Sequence, residues 1–162
     1  PPLQSCFVAV IDPYEREPVI QAIQRGPVAV PGEQEPSDFN GVITLDLRDG
    51  RRHVMAFVGS PRPDGGVAKA AGLDLRFQAD VCFLSERGNQ IERLVLCSGS
   101  SIQYKGFELR LREPAAFLEI SLDGSSARIE SCEKPPVIET LQSTSPDGKT
   151  MRYEVSLAGN DS

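Results

Sequence analysis

At 162 residues, with 40% apolar and 25% charged side chains, the chain has the make-up of one globular domain that can bury a core without staples. A formal net charge of −6, with basic residues scattered and only Arg51-Arg52 dense, argues against a nucleic-acid partner, whose phosphates call for clustered Lys and Arg. No apolar run is long enough for a helical membrane span, and 14 glycines with 13 prolines suit many turns between short strands.

The chain opens at Pro1-Pro2, as a mature product or a domain excised from a longer polypeptide would. Ser5–Tyr14 (SCFVAVIDPY) is apolar but has no A-x-A cleavage site, so it is expected to be a strand rather than a signal segment. Asp12-Pro13 ends it, because proline offers no N–H to a ladder and holds its predecessor extended. After a charged turn at Glu15–Glu17, PVIQAIQRG returns as a second strand, with Pro18 and Pro27 favouring strand over a short helix. Pro27–Asp38 is expected to be a loop or a crossing between sheets.

Val42–Leu47, Asp49-Gly50 and His53–Val58 form the clearest hairpin, since Asp-Gly accepts the positive φ of a tight turn. Ser60–Gly72 then reads as a long exposed loop of small residues. From Leu73 to Leu111 the sequence predicts a three-strand meander: LDLRFQADVCFLSE, QIERLVLCSGSSIQY and GFELRL, divided at Arg87-Gly88-Asn89 and Lys105-Gly106. Apolar residues alternate through Leu73, Leu75 and Phe77 and again through Phe107, Leu109 and Leu111, the period of a strand. Two more hairpins follow, turned at Asp123-Gly124 and at Pro146-Asp147-Gly148. The expected fold is all-β: a single jelly-roll-like antiparallel β-sandwich over residues 1–162, with ten to twelve short strands.

Four cysteines, Cys6, Cys82, Cys97 and Cys132, stand far apart with no C-x-x-C pair, which disfavours a zinc site or a thioredoxin-like motif. Cys82 and Cys97 face each other if their hairpin centres between Asn89 and Gln90; a one-residue shift separates them, and buried free thiols are the equal alternative. The one histidine, His53, has no G-x-S-x-G elbow to serve and reads as a strand-end residue without a catalytic role. Asp46, Asp49, Asp64, Asp123 and Asp147 are candidate calcium ligands, but turn chemistry accounts for them, and no metal or cofactor is expected. There is no Trp for a strong sugar-stacking platform, so the candidate carbohydrate contacts are Tyr14, Tyr104, Arg52 and His53. Tyr14 follows a strand end and Tyr104 precedes a turn, positions that suggest exposure.

The run C-F-V-A-V-I-D-P-Y followed by V-I-Q-A-I resembles the F-V-x-V-x-x-P-Y … I-x-x-I/V run in the C-terminal β-rich part of heparinase II/III-like polysaccharide lyases. The segment L-V-L-C-S-G-S-S-I-Q-Y-K-G-F-E-L is similar to the G-G/T-S-L-x-x-G-x-F/L strand pair near the end of such chains, so the resemblance covers most of Ser5–Leu111. It implies the terminal β-sandwich of a secreted, multidomain lyase-like protein, in an extracellular or periplasmic setting. Such a domain packs on a catalytic module and contacts acidic polysaccharide. The family's reaction belongs to an α/α toroid and a central β-sheet, and its catalytic Tyr, His and Asn have no motif here, so the isolated domain is not expected to be an enzyme.

The alternative is a protein–protein interaction sandwich with no sugar role, meeting its partner through Ser60–Gly72. An accessory domain should expose a contiguous apolar patch. A sugar binder should align Tyr14 or Tyr104 with Arg or Asn on one exposed face. An enzyme should hold His53 in a cleft beside a carboxylate.

Overall fold

The computed structural model describes residues 17–33, 39–59, 66–70, 72–132 and 134–158. The expected Ser5–Tyr14 strand, with Cys6 and Tyr14, lies outside these, as does most of the Ser60–Gly72 loop. The described residues contain no helix. In chain order the strands are β1 (Ile20–Gly26), β2 (Val28–Ala29), β3 (Asn40–Leu47), β4 (Arg51–Val58), β5 (Ala68–Ala70), β6 (Leu75–Gln78) and β7 (Val81–Arg87). There follow β8 (Gln90–Tyr104), β9 (Phe107–Asp123), β10 (Ser126–Cys132), β11 (Ile138–Thr144), β12 (Thr150–Arg152) and β13 (Glu154–Leu157).

All thirteen belong to one hydrogen-bonded sheet, which does not close into a barrel. The two long strands, β8 and β9, fold that sheet into two layers. The first part of β8, up to Cys97, continues the antiparallel series β1-β3-β4-β7 and passes it through Ala115–Asp123 of β9 to β10. β13 then adds beside β10 in the parallel sense. The last part of β8, Ser101–Tyr104, pairs instead with β6, which leads to β5 and β2; the start of β9 leads to β11 and β12. At the corner the partners change from Gly99↔Ala115 to Ser101↔Arg110, so Leu111–Pro114 bulge out against Ser100 alone. Such a bulge bends a strand from one layer into the next, and it frees Pro114 from the ladder bond it cannot donate.

Alternation decides what lies between the layers. Val54, Ala56, Leu84, Leu94, Leu96, Leu118 and Ile120 point inward from layer one and Val28, Ala68, Leu75, Phe77, Ile102 and Leu109 from layer two; none is more than 1% exposed, and all join one core cluster. The paired backbone puts successive side chains on opposite faces, so each strand delivers its apolar set to that core.

The predicted hairpins at Asp49-Gly50, Lys105-Gly106, Asp123-Gly124 and Pro146–Gly148 are all present. The described residues form thirteen strands, against the roughly ten to twelve expected. Three expectations need correction. The single strand expected from Leu73 to Glu86 is two, because the chain changes layers at Ala79-Asp80, where Asp80 accepts from Val58 N–H and donates to Cys97 O. The strands expected on either side of Pro114 are one. And Ala68–Ala70, placed in an exposed loop, is β5, with Ala68 and Ala70 buried against β2 and β6.

Cys82, Cys97 and Cys132 are free thiols. A bulge between Ser85 and Glu86 sets Cys82 opposite Leu96 and Val81 opposite Cys97, so the two cysteines point to opposite faces of their hairpin.

Candidate functional site

β7 carries Cys82, Leu84 and Glu86 on its inner face, so the apolar alternation ends by placing a carboxylate inside, 3% exposed. Taking that group from water is tolerable only with partners. They come from layer two. Glu86 Oε1 accepts from Tyr104 Oη at 3.0 Å and from Lys105 Nζ at 2.8 Å, and Oε2 accepts from Lys105 Nζ at 3.1 Å. Lys105 reaches inward because it occupies the first central position of a two-residue turn, φ 47°, with Gly106 at φ 82°, the pattern of a type I′ hairpin. Its ammonium lies 5.0 Å from the Tyr104 ring centre.

Register extends the row across layer one, from Glu86 to Arg52 to Asp46. Arg52 Nε donates to Asp46 Oδ1 at 2.6 Å. Charge therefore alternates from Asp46 through Arg52 and Glu86 to Lys105. The Arg52 hydrogen bond, against an opposing desolvation, holds the Asp46 carboxyl below the usual carboxylate range. Burial raises the Tyr104 hydroxyl. Desolvation works against the Lys105 ammonium, but its hydrogen bonds to Glu86 and Tyr104 outweigh that and keep it above the ordinary lysine value.

The Glu86–Lys105 pair separates two clefts at this end of the sandwich. One, of about 590 Å³, runs over Asp46, Arg52 and Gly88. The other, of about 980 Å³, opens between the layer ends, with Ile91, Phe107 and Leu122 below and Asn89, Gln90 and Lys149 at its rim. Tyr153 sets its ring edge-on to Phe107, centroids 6.1 Å apart, and its hydroxyl lies 2.8 Å from Ser143 Oγ.

The candidate sugar contacts are not on one face. Tyr14 lies outside the described residues. Tyr104 is corrected from exposed to buried, at 1%, because the phase of β8 puts it on the same face as Ile102; its hydroxyl donates to Glu86. Arg52 points toward the inner end and is held by Asp46. His53 points to the other face of β4, edge-on to Phe83 with centroids 5.2 Å apart, and burial lowers its pKa. Of the aspartates weighed for calcium, Asp46 pairs with Arg52, Asp49 with Arg51 and Asp147 with Lys149, while Asp64 lies outside the described residues. Glu86 and Lys105 were missed, although a charge closing the inward series Cys82, Leu84, Glu86 was the available signal.

The outer face of layer one forms a second surface. Two cross-strand rows on it are apolar: Ile43–Met55–Phe83–Val95, and Phe57–Val81–Cys97–Phe117 with Gly41 at its start. The Phe57 ring occupies the space a Cβ on Gly41 would need. Met55, Phe57, Val81, Phe83 and Val95 are partly exposed and Phe117 is exposed. A polar border runs along His53, Ser85 and Arg93, with Arg93 paired to Glu119.

No protein-family model matches this chain, and comparison with curated proteins and with solved structures gave no match.

Proposed function

We propose that this chain is a non-catalytic accessory β-sandwich that packs the outer face of layer one on a neighbouring module of a polysaccharide-lyase-like protein. One observation carries the packing role: the two contiguous apolar rows on that face. An antiparallel layer facing water alternates apolar-in with polar-out. Here β4, β7 and β8 put Met55, Phe57, Phe83, Val95 and Val81 outward instead, inside a polar border, which is the pattern of a protein contact. The lyase-like parentage and its extracellular or periplasmic setting rest on the sequence resemblance alone.

The isolated chain should bind the dye ANS and self-associate as concentration rises, and Phe83→Lys with Val95→Lys should abolish both while leaving cooperative unfolding intact. A wild-type chain that stays monomeric and dye-silent at high concentration overturns the packing role.

The larger cleft supports a glycan-contacting part of this reading, because amide and hydroxyl groups ring an apolar floor, the mix that fixes a small polar ligand. Its two lysines, Lys105 and Lys149, are already engaged by Glu86 and Asp147, which favours neutral over acidic sugars there. Retention on neutral polysaccharide gels tests this part, and passage through every gel removes it while leaving the packing role standing.

A further inference from the structure

On one flank the two layers end unevenly. β12 pairs only with Gln142–Thr144 of β11. Past Arg152 the chain crosses between layers at Tyr153, whose N–H donates to Leu141 O at 3.2 Å, and Glu154 N–H then donates to Ser125 O at 2.8 Å as β13 begins. Among the described residues, nothing pairs with the outer side of β13 or with the outer side of β11 at Ile138–Thr140. Two strand edges therefore face the same opening.

The side chains there are arranged for a core that is not filled. Val155 and Leu157 are in register with Ala127 and Ile129, which are buried on the inner face of β10. Residues in register share a face, so Val155 and Leu157 also point inward. Yet they are 46% and 54% exposed. Across from them stand Ile138, Leu141 and Pro135-Pro136, and the groove between has a volume of about 420 Å³. Edges of sheets are usually blunted by Lys, Pro or a bulge. β13 reads Glu-Val-Ser-Leu, with its one charge at the start.

We propose that this flank binds an extended segment of a partner protein, which adds to the sheet as a strand and fills the groove with apolar side chains at every second position. Unused backbone N–H and C=O groups on two edges select an extended backbone, and the inward-facing Val155, Leu157 and Ile138 select its alternating apolar side chains. The segment need span only about four to six residues, given the ~3.3 Å rise of a strand and the length of β13. This surface is separate from the outer face of layer one, so the two readings stand or fall independently.

The test is selection of displayed, randomised short peptides on the full chain, followed by NMR mapping of the best binder. Enrichment of alternating apolar sequences, with shifts confined to residues 138–140 and 154–157, is expected. Leu157→Lys should weaken that binder about tenfold or more, roughly 1.4 kcal/mol, without altering cooperative unfolding. A proline at the centre of the peptide should do the same, since it removes a ladder donor. Phe83→Lys should leave peptide binding unchanged. The proposal is overturned by no enrichment, by shifts elsewhere, by binding indifferent to Leu157→Lys, or by β13 pairing only with a second copy of this chain.

Discussion

Glu86, Tyr104 and Lys105 show how one inward charge is made tolerable: the carboxylate accepts from two donors, and one of them is a cation. The magnitudes rank two of these side chains. Tyr104→Phe removes one hydrogen bond but leaves the ion pair, so it should cost about 1 kcal/mol. Glu86→Ala strands the Tyr104 hydroxyl and leaves Lys105 and Arg52 without their shared anion, a loss of about 3 kcal/mol because the lysine can turn to water. Urea denaturation of both variants checks this, and an equal cost for the two would mean the ion pair contributes nothing beyond the phenol. His53 makes the opposite case, a titrating group with no acidic contact partner among the described residues. Burial chiefly, with Arg51 and Arg93 adding, lowers its folded pKa below the ordinary imidazole value of 6.5, while Asp49 and Glu92 pull the other way. The unfolded chain therefore binds the His53 proton more tightly, so its contribution is intact above about pH 6.5 and lost as pH falls below it. His53→Gln should flatten the stability–pH curve in that acid window and leave it unchanged at pH 8; a curve of unchanged slope would show that the ring titrates as in the unfolded chain.

At the scale of elements, the turns were legible and the layer crossings were not. Asp49-Gly50 and Lys105-Gly106 announce themselves because a tight turn needs positive φ at fixed places, which is a local requirement. The two glycines have nearly the same φ, 84° and 82°, but different surroundings. Nothing lies near a Cβ on Gly50, whereas a Cβ on Gly106 would meet the carbonyl oxygen of Thr144, whose N–H donates to Gly106 O at 2.9 Å. Gly50→Ala should thus cost only the backbone strain, about 1 kcal/mol. Gly106→Ala should exceed it by about 2 kcal/mol, since β11 must move to make room. Thermal melts of the pair isolate the steric part, and equal costs would show that β11 yields freely. The break between β6 and β7 did leave a trace: the inward phase runs through Leu75, Phe77 and Ala79 and resumes at Cys82, a slip from odd to even positions. No such trace marks the β9 corner, where Pro114 reads as an end between strands. Its ladder bond is absent only because the corner bulges, and that depends on which layers the two halves of β9 join.

For the whole molecule, fold class was readable because alternation and turns are local, whereas the site depends on contacts between the layers. Glu86 meets Lys105 only after β8 has crossed from one layer to the other, and no window of sequence contains that event. The same argument explains the disulfide question: the register of the β7–β8 hairpin sets Cys82 opposite Leu96 and Cys97 opposite Val81, so the two thiols point to opposite faces. Cys82 now sits between the layers among Ala56, Leu84 and Leu96, 1% exposed, and burial pushes its thiol up to about 12, so almost no thiolate exists at pH 8. Because both layers are one continuous sheet around one core cluster, no part can lift away from Cys82 without parting the layers. Alkylation of Cys82 should therefore report global unfolding, as the slowest-exchanging core groups do. Cys97, partly exposed on the outer face, should react in native buffer with iodoacetamide, while Cys82 stays unmodified until urea reaches the unfolding transition. The Cys82 rate should then rise with the same urea dependence as the unfolding equilibrium. A Cys82 rate with a much shallower urea dependence would mean that the layers part locally, along the β4–β7–β8 seam, before the molecule unfolds.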